Sequence, residues 1–272
     1  MPRTPADKRA AFRALHADGC FILPNPWDVG SACALEGLGF RALATTSSGH
    51  AWSTGHADGS VSREATLAHL RTMAAATDLP LNADFEGGFG ADPEGVAGSV
   101  RMAIDTGVAA LSIEDSTQDP AHPVRDLADA IARMRAARAA IDAAGGDVLL
   151  VGRAENFFVG RPDLDDTLRR LKAYAEAGAD CLYAPGIRSR EQIAAVVAAV
   201  APKPVNLLVG SHGELTFDEI RVLGVRRISL GGALARAAWG GFLRAARGLA
   251  DGGRFDGLDG AASGGELNAL FR

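Results

Sequence analysis

Asp163-Leu-Asp-Asp-Thr-Leu-Arg-Arg-Leu-Lys-Ala-Tyr-Ala-Glu-Ala-Gly-Ala-Asp-Cys-Leu-Tyr-Ala184 contains one complete structural unit. Residues 163–177 fit a helix. Gly178 follows, and a glycine there can take the left-handed conformation that stops a helix. Residues 181–184 are then a short apolar run. The same glycine stands in Gly39-Phe-Arg, Gly107-Val-Ala and Gly224-Val-Arg, each just before an apolar run. A signal that recurs in this position indicates a repeated β-α unit.

Working outward from that unit, eight short runs read as strands: 21–24, 42–45, 81–84, 110–113, 148–152, 181–184, 204–207 and 227–230. Each is mostly apolar on both faces, as a strand buried in a parallel sheet should be. Helices fit between them at 31–38, 62–76, 92–106, 123–144, 163–177, 189–200, 216–223 and 232–249. Ser62 is a plausible cap, and Thr216 with Glu219 has the form of a capping box. Eight such units argue for a closed α/β structure, a (β/α)8 TIM-type barrel. The 272 residues match the size of one barrel, and no linker divides them. Residues 1–250 are read as the barrel domain and 251–272 as a glycine-rich C-terminal tail extension.

Bulk properties exclude several classes. The chain is 47% hydrophobic and 22% charged, with a net charge of -5 and no basic stripe. No nucleic-acid partner is expected. The longest apolar runs fall short of the ~18 residues a membrane span needs. Residues 1–15 lack the apolar core of a signal peptide. The three cysteines, Cys20, Cys33 and Cys181, are odd in number and match no metal spacing. A cytoplasmic, reduced protein is the simplest account.

In a barrel, function collects at the carboxyl ends of the strands. Those ends carry Asp84, Glu86, Glu114 and Asp115 on neighbouring strands. Pooled carboxylates repel one another unless a cation joins them. Oxygen ligands suit Mg²⁺, with Mn²⁺ as the alternative; salt bridges to nearby arginines and helix-start amides are the competing reading. Arg153 directly follows an apolar run, where a guanidinium needs a partner. A substrate carboxylate would serve, and so would Glu114 or Glu155. The small polar turn 45–49 offers the amides of Ser48, Gly49 and His50 to an anionic oxygen. Gly231-Gly232 after the eighth run offers thinner support for a phosphate site.

The segments Asn25-Pro-Trp-Asp, Thr46-Ser-Ser-Gly, Ala83-Asp-Phe-Glu-Gly-Gly-Phe-Gly, Ile113-Glu-Asp, Gly152-Arg-Ala-Glu, Ala177-Gly-Ala-Asp and Lys203-Pro-Val-Asn stand in order along the chain. Together they resemble the isocitrate lyase / phosphoenolpyruvate mutase superfamily. The resemblance implies that Asp84, Glu86 (in place of an Asp) and Glu114 hold Mg²⁺ largely through water. It also implies that Ser47, Ser48, Gly49, His50, Arg153 and Asn206 bind a 2-oxo acid or its enolate. A C–C or P–C bond would then break as the enolate of a pyruvate-like fragment is stabilised. Family members exchange their last helix between subunits, which implies a homodimer or homotetramer. The spacing of Leu234, Ala238, Phe242 and Ala245 fits such a helix.

The departures narrow the reaction. The lyases of this family carry a Lys-Lys-Cys-Gly-His loop, and the phosphonate enzymes place Lys and Asn in theirs. Here the loop reads Asp115-Ser-Thr-Gln-Asp-Pro-Ala-His-Pro. Ser116, Thr117 or His122 is left as donor, with His122 suited to acid–base work. Arg153, Ser48 and His122 are therefore the expected catalytic groups. A lyase or decarboxylase of a small 2-oxo or 2-hydroxy dicarboxylic acid fits best, since oxaloacetate decarboxylation needs no Cys. A phosphonopyruvate mutase or hydrolase and a non-catalytic 2-oxo acid-binding barrel are the alternatives.

Overall fold

The computed structural model describes residues 2–117 and 119–271. Its strands are β1 (Phe21–Leu23), β2 (Leu43–Ala44), β3 (Leu81–Asp84), β4 (Ala110–Glu114), β5 (Leu149–Arg153), β6 (Cys181–Tyr183), β7 (Val205–Leu208) and β8 (Arg227–Ser229). They pair in parallel in the order β1-β8-β7-β6-β5-β4-β3-β2. The two ends of that order are joined where the Ala44 N–H donates to the Pro24 carbonyl at 3.0 Å. Asn25 Nδ2 adds a second tie to the Thr45 carbonyl at 2.9 Å. The result is an eight-stranded parallel near-barrel with flanking helices, consistent with the (β/α)8 expectation.

The helices bury an apolar layer against the outside of the sheet. Leu70, Met73, Val96, Val100, Leu111, Leu171 and Val196 are fully enclosed there. Each such side chain contributes roughly 1.5–3 kcal/mol through its removal from water. Gly152 leaves room for the helix Leu164–Glu176: a Cβ there would stand 3.0 Å from Tyr174 Cβ. The inside of the barrel is different. Asn82, Ser112, Asn206, Arg227 and Ser229 are buried and polar. Bulky branched residues usually fill that space.

Three local differences from the sequence reading bear on function. The turn after β2 is a short helix, Ser47–Ser53, capped by Thr46. The helix after β4 starts at Leu127. Residues before it fold back as a short hairpin through the Ser116–Val124 bridge and an Arg125 N–H bond to the Asp115 carbonyl at 2.8 Å. The tail carries a further helix, Gly264–Leu270, beyond the barrel's last helix Ala233–Gly252. Phe242 on that last helix is 60% exposed, beside exposed Trp239 and Leu243. Among the described residues, no helix is long and apolar enough to cross a membrane.

Candidate active site

A cleft of 760 Å³ opens at the carboxyl ends of the strands and reaches down into the barrel interior. Arg153, the last residue of β5, stands at its mouth. Its Nη1 lies 2.7 Å from Asp84 Oδ1 and 3.0 Å from Glu114 Oε2. Its Nε and Nη2 each lie 2.9 Å from Glu155 Oε1. The parallel register explains the meeting, because Asp84, Glu114 and Arg153 all end neighbouring strands and Glu114 pairs directly with Arg153. The Arg153 guanidinium also lies 5.1 Å above the Tyr183 ring.

One buried and two part-buried carboxyl groups surround a single guanidinium, which leaves an excess of acidic groups. Burial raises the Glu114 carboxyl's pKa, opposed by Arg153 and reinforced by Asp84. Glu155 is pushed up to about 8, again first by burial and then by Glu114 and Asp115 against the pull of Arg153. Arg153 itself holds its proton more tightly than usual: burial works against the charge, and Glu114, Glu155 and Asp84 outweigh it. Asp58, on the loop after β2, also belongs to this region. Desolvation and the Asp84 charge raise its pKa, and the Ser47 hydroxyl opposes them.

The expected carboxylate cluster is only partly assembled. Asp115 turns away from the cleft. It accepts the Glu155 N–H at 2.8 Å, Tyr174 Oη at 2.5 Å and Arg170 Nη1 at 3.2 Å. It is a strut between β4, β5 and the helix Leu164–Glu176. Glu86 lines a small recess with Asp84, His50 and His69. Its backbone sits at φ 46, a left-handed conformation that costs about 1–2 kcal/mol outside glycine. Among the described residues, no three His, Cys, Asp or Glu side chains converge as a metal-ligating set. The physical reason is Arg153, whose Nη1 is interposed between Asp84 and Glu114. Asp84, Glu86 and Glu114 nonetheless offer oxygen donors in an acidic setting. That chemistry fits a hard divalent cation taken through water better than one in direct contact.

The amide turn is also altered. Ser47 N–H donates to Asp84 Oδ2 at 3.0 Å. Gly49 N–H donates to Thr46 Oγ1 at 3.3 Å, and His50 N–H to the Thr46 carbonyl. Gly49 and His50 are thus committed to the helix cap, and Ser48 lines the cleft with no amide partner among the described residues. Gly49 must be glycine, because a Cβ would fall 2.6 Å from Thr46 Cγ2 and 2.9 Å from Trp27 Cβ. The His50 ring stacks on His69 at 3.7 Å. Burial lowers the pKa of both, His69 to about 4.

Two other expected residues land in unlike places. Asn206 is fully buried at the cleft floor, where Nδ2 donates to Ser229 Oγ at 2.9 Å and Oδ1 accepts from Arg227 Nε at 2.9 Å. His122 lies on the hairpin with its side chain 84% exposed, 3.4 Å from Asp119, and outside the cleft lining. Ser116 is the loop donor that reaches the acids, giving a hydrogen bond of 2.5 Å to Glu114 Oε1. Arg227 and Asp58 escaped the sequence reading. A charged residue inside an apolar strand was the available signal for Arg227; a loop aspartate gives none.

Known proteins of similar sequence and structure can be set beside this geometry. The family described as Phosphoenolpyruvate phosphomutase matches residues 12–250. A solved structure from Burkholderia cenocepacia J2315 is 47% identical, with a TM-score of 0.94 over 98% of this chain and 97% of that one. The crystal structure of 2,3-dimethylmalate lyase, a member of the PEP mutase/isocitrate lyase superfamily, is 28% identical, with a TM-score of 0.85 over 99% and 95% of the two chains. An oxaloacetate decarboxylase of Paraburkholderia xenovorans (strain LB400) is 30% identical over 235 residues, which span 82% of this chain and 75% of that protein.

Proposed function

The chain belongs to the phosphoenolpyruvate mutase/isocitrate lyase superfamily, and from that premise we propose that it is a Mg²⁺-dependent carbon–carbon lyase or decarboxylase. Its substrate class is a small 2-oxo or 2-hydroxy dicarboxylic acid. The observation that carries the reading is the cluster of Asp84, Glu114 and Glu155 around Arg153 at the cleft mouth. Relatives that act on oxaloacetate and 2,3-dimethylmalate support the substrate class.

Asp84, Glu86 and Glu114 would hold the cation through water, with Asp58 beside them. When bound, the cation supplies positive charge against the negative charge that develops on the substrate's 2-oxo oxygen. The residues of the chain do the rest. Arg153 holds the three carboxyl groups in place and opposes the burial that raises the pKa of Glu114 and Glu155. The Ser48 amide and hydroxyl face the same oxygen from the other wall of the cleft. As the C–C bond breaks, its electron pair moves into the 2-oxo group and leaves an enolate. The pyruvate-like carbanion then needs a proton at its third carbon. Ser116, bonded to Glu114, is the loop hydroxyl joined to the acid cluster.

The test is pyruvate release from a panel of 2-oxo and 2-hydroxy dicarboxylic acids, in Mg²⁺, in Mn²⁺ and in EDTA. Turnover of at least one acid, abolished by EDTA and restored by Mg²⁺, is the expected result. No turnover of any member would overturn the reading. Phosphate release from phosphonopyruvate would replace it with P–C chemistry.

A further inference from the structure

The charge in the cleft is divided between two poles of opposite sign. Every nitrogen of the Arg153 guanidinium is occupied by a carboxylate. An anionic group approaching it meets this pool of acidic side chains at close range. Arg227 is the opposite case. It is 2% exposed and lines the floor of the same cleft. Its Nε donates to Asn206 Oδ1 at 2.9 Å and its Nη1 to Asn82 Oδ1 at 3.1 Å. Both partners are neutral amides, and both amides are oriented by other bonds, Asn206 to Ser229 and Asn82 to the Ala83 carbonyl. Among the described residues, Nη2 has no hydrogen-bond partner and Arg227 makes no ion pair.

A guanidinium enclosed without an anion is costly. Among the described residues, its surroundings show no carboxylate counter-charge. Burial lowers its pKa, and the groups that raise it are the Cys181 thiol and the Tyr183 phenol rather than a carboxylate. Nearby His16 is driven down to about 3, by burial first and then by Arg227 itself, so it stays neutral. Register runs from Arg153 through Tyr183 and Asn206 to Arg227, one residue on each of β5 to β8. Three strand spacings, about 14 Å along the sheet, therefore separate the backbones of the two arginines. The floor lacks what the mouth has in excess.

We propose that Arg227, held open by Asn82 and Asn206, is the recognition site for a substrate carboxylate at the floor of the cleft. This inference rests on the dicarboxylate reading above and adds a second anion site to the one that the family resemblance implies at Arg153. A dicarboxylic acid has one carboxylate for this floor while its 2-oxo or 2-hydroxy end faces the Ser48 side and the acid cluster. The polarity of the cleft then selects for acids with a second carboxylate.

The test uses malonate, which is not a 2-oxo acid, with acetate as the monocarboxylate control. Titration calorimetry in EDTA should show malonate binding to the wild-type protein and much weaker binding of acetate. Arg227→Gln should weaken malonate roughly 10- to 150-fold, the range of a charge-assisted hydrogen bond, and Arg227→Lys should restore part of it. Unchanged malonate affinity in a folded Arg227→Gln protein would overturn the proposal. If that variant does not fold, a bromide soak of wild-type crystals decides. Anomalous density at Arg227 Nη2 supports the site, and none there refutes it. Malonate binding needs no turnover. An Arg227-dependent site in a protein inactive on the whole acid panel would therefore sink the lyase reading and leave this one standing.

Discussion

Replacing Glu155 by Gln should make the protein more stable at high pH while changing it little at low pH. Glu155 is 2% exposed. Its ordinary carboxyl value of 4.5 is raised to about 8, by burial first and by Glu114 and Asp115 against Arg153. Between those two values the folded protein keeps a proton that the unfolded chain has released. Stability is therefore fully present below about 4.5 and lost as pH rises through about 8. At ~1.4 kcal/mol per pH unit, the gap corresponds to about 5 kcal/mol as an upper bound, since Glu114 shares the same guanidinium. A chain of this size shifts its melting temperature by about 2 °C per kcal/mol. Wild type should thus lose up to about 10 °C relative to Glu155→Gln between pH 5 and pH 9. The assay is thermal unfolding of both proteins in EDTA across that range. A difference that stays constant with pH, or that grows in favour of wild type, would refute the electrostatic account. Repeating the scan in millimolar Mg²⁺ should flatten the wild-type slope, because a bound cation favours ionised carboxylates.

Other perturbations separate structural groups from reacting ones. Asp115→Asn should cost about 3–5 kcal/mol in urea unfolding, because it removes the charge that Arg170 and Tyr174 enclose; a loss below about 1 kcal/mol would contradict the strut role. His122→Ala should change kcat/KM by less than about twofold, since the ring is exposed and outside the cleft lining. A hundredfold fall on a turned-over acid, read in the pyruvate assay, would instead place the hairpin over the site during turnover. Phe242→Glu should lower the molar mass found by light scattering if the exposed face of the last helix joins subunits, and an unchanged mass would remove that face from the interface.

The architecture was legible because its signals are local. Gly39, Gly107, Gly178 and Gly224 all take positive φ before a strand, and a helix stop is decided by one residue's own backbone. Asp84, Glu114 and Arg153 could likewise be picked out, because the end of a buried strand is a position that can be counted along the chain. The partnerships of these residues could not be counted. Whether Arg153 faces a substrate or three carboxylates depends on how β3, β4 and β5 are staggered. Coulomb energy varies with distances that only the closed barrel sets. Asp115 shows the same limit, one residue from Glu114 and pointed at a different set of partners. Arg227 shows it most clearly. In a three-residue strand buried on both faces, alternation does not tell inward from outward. The sequence by itself determined the repeating unit, the fold class and the acids at the barrel mouth. The tertiary structure decided which cation is already neutralised and which stands without an anion, because charge balance is a property of neighbours in space.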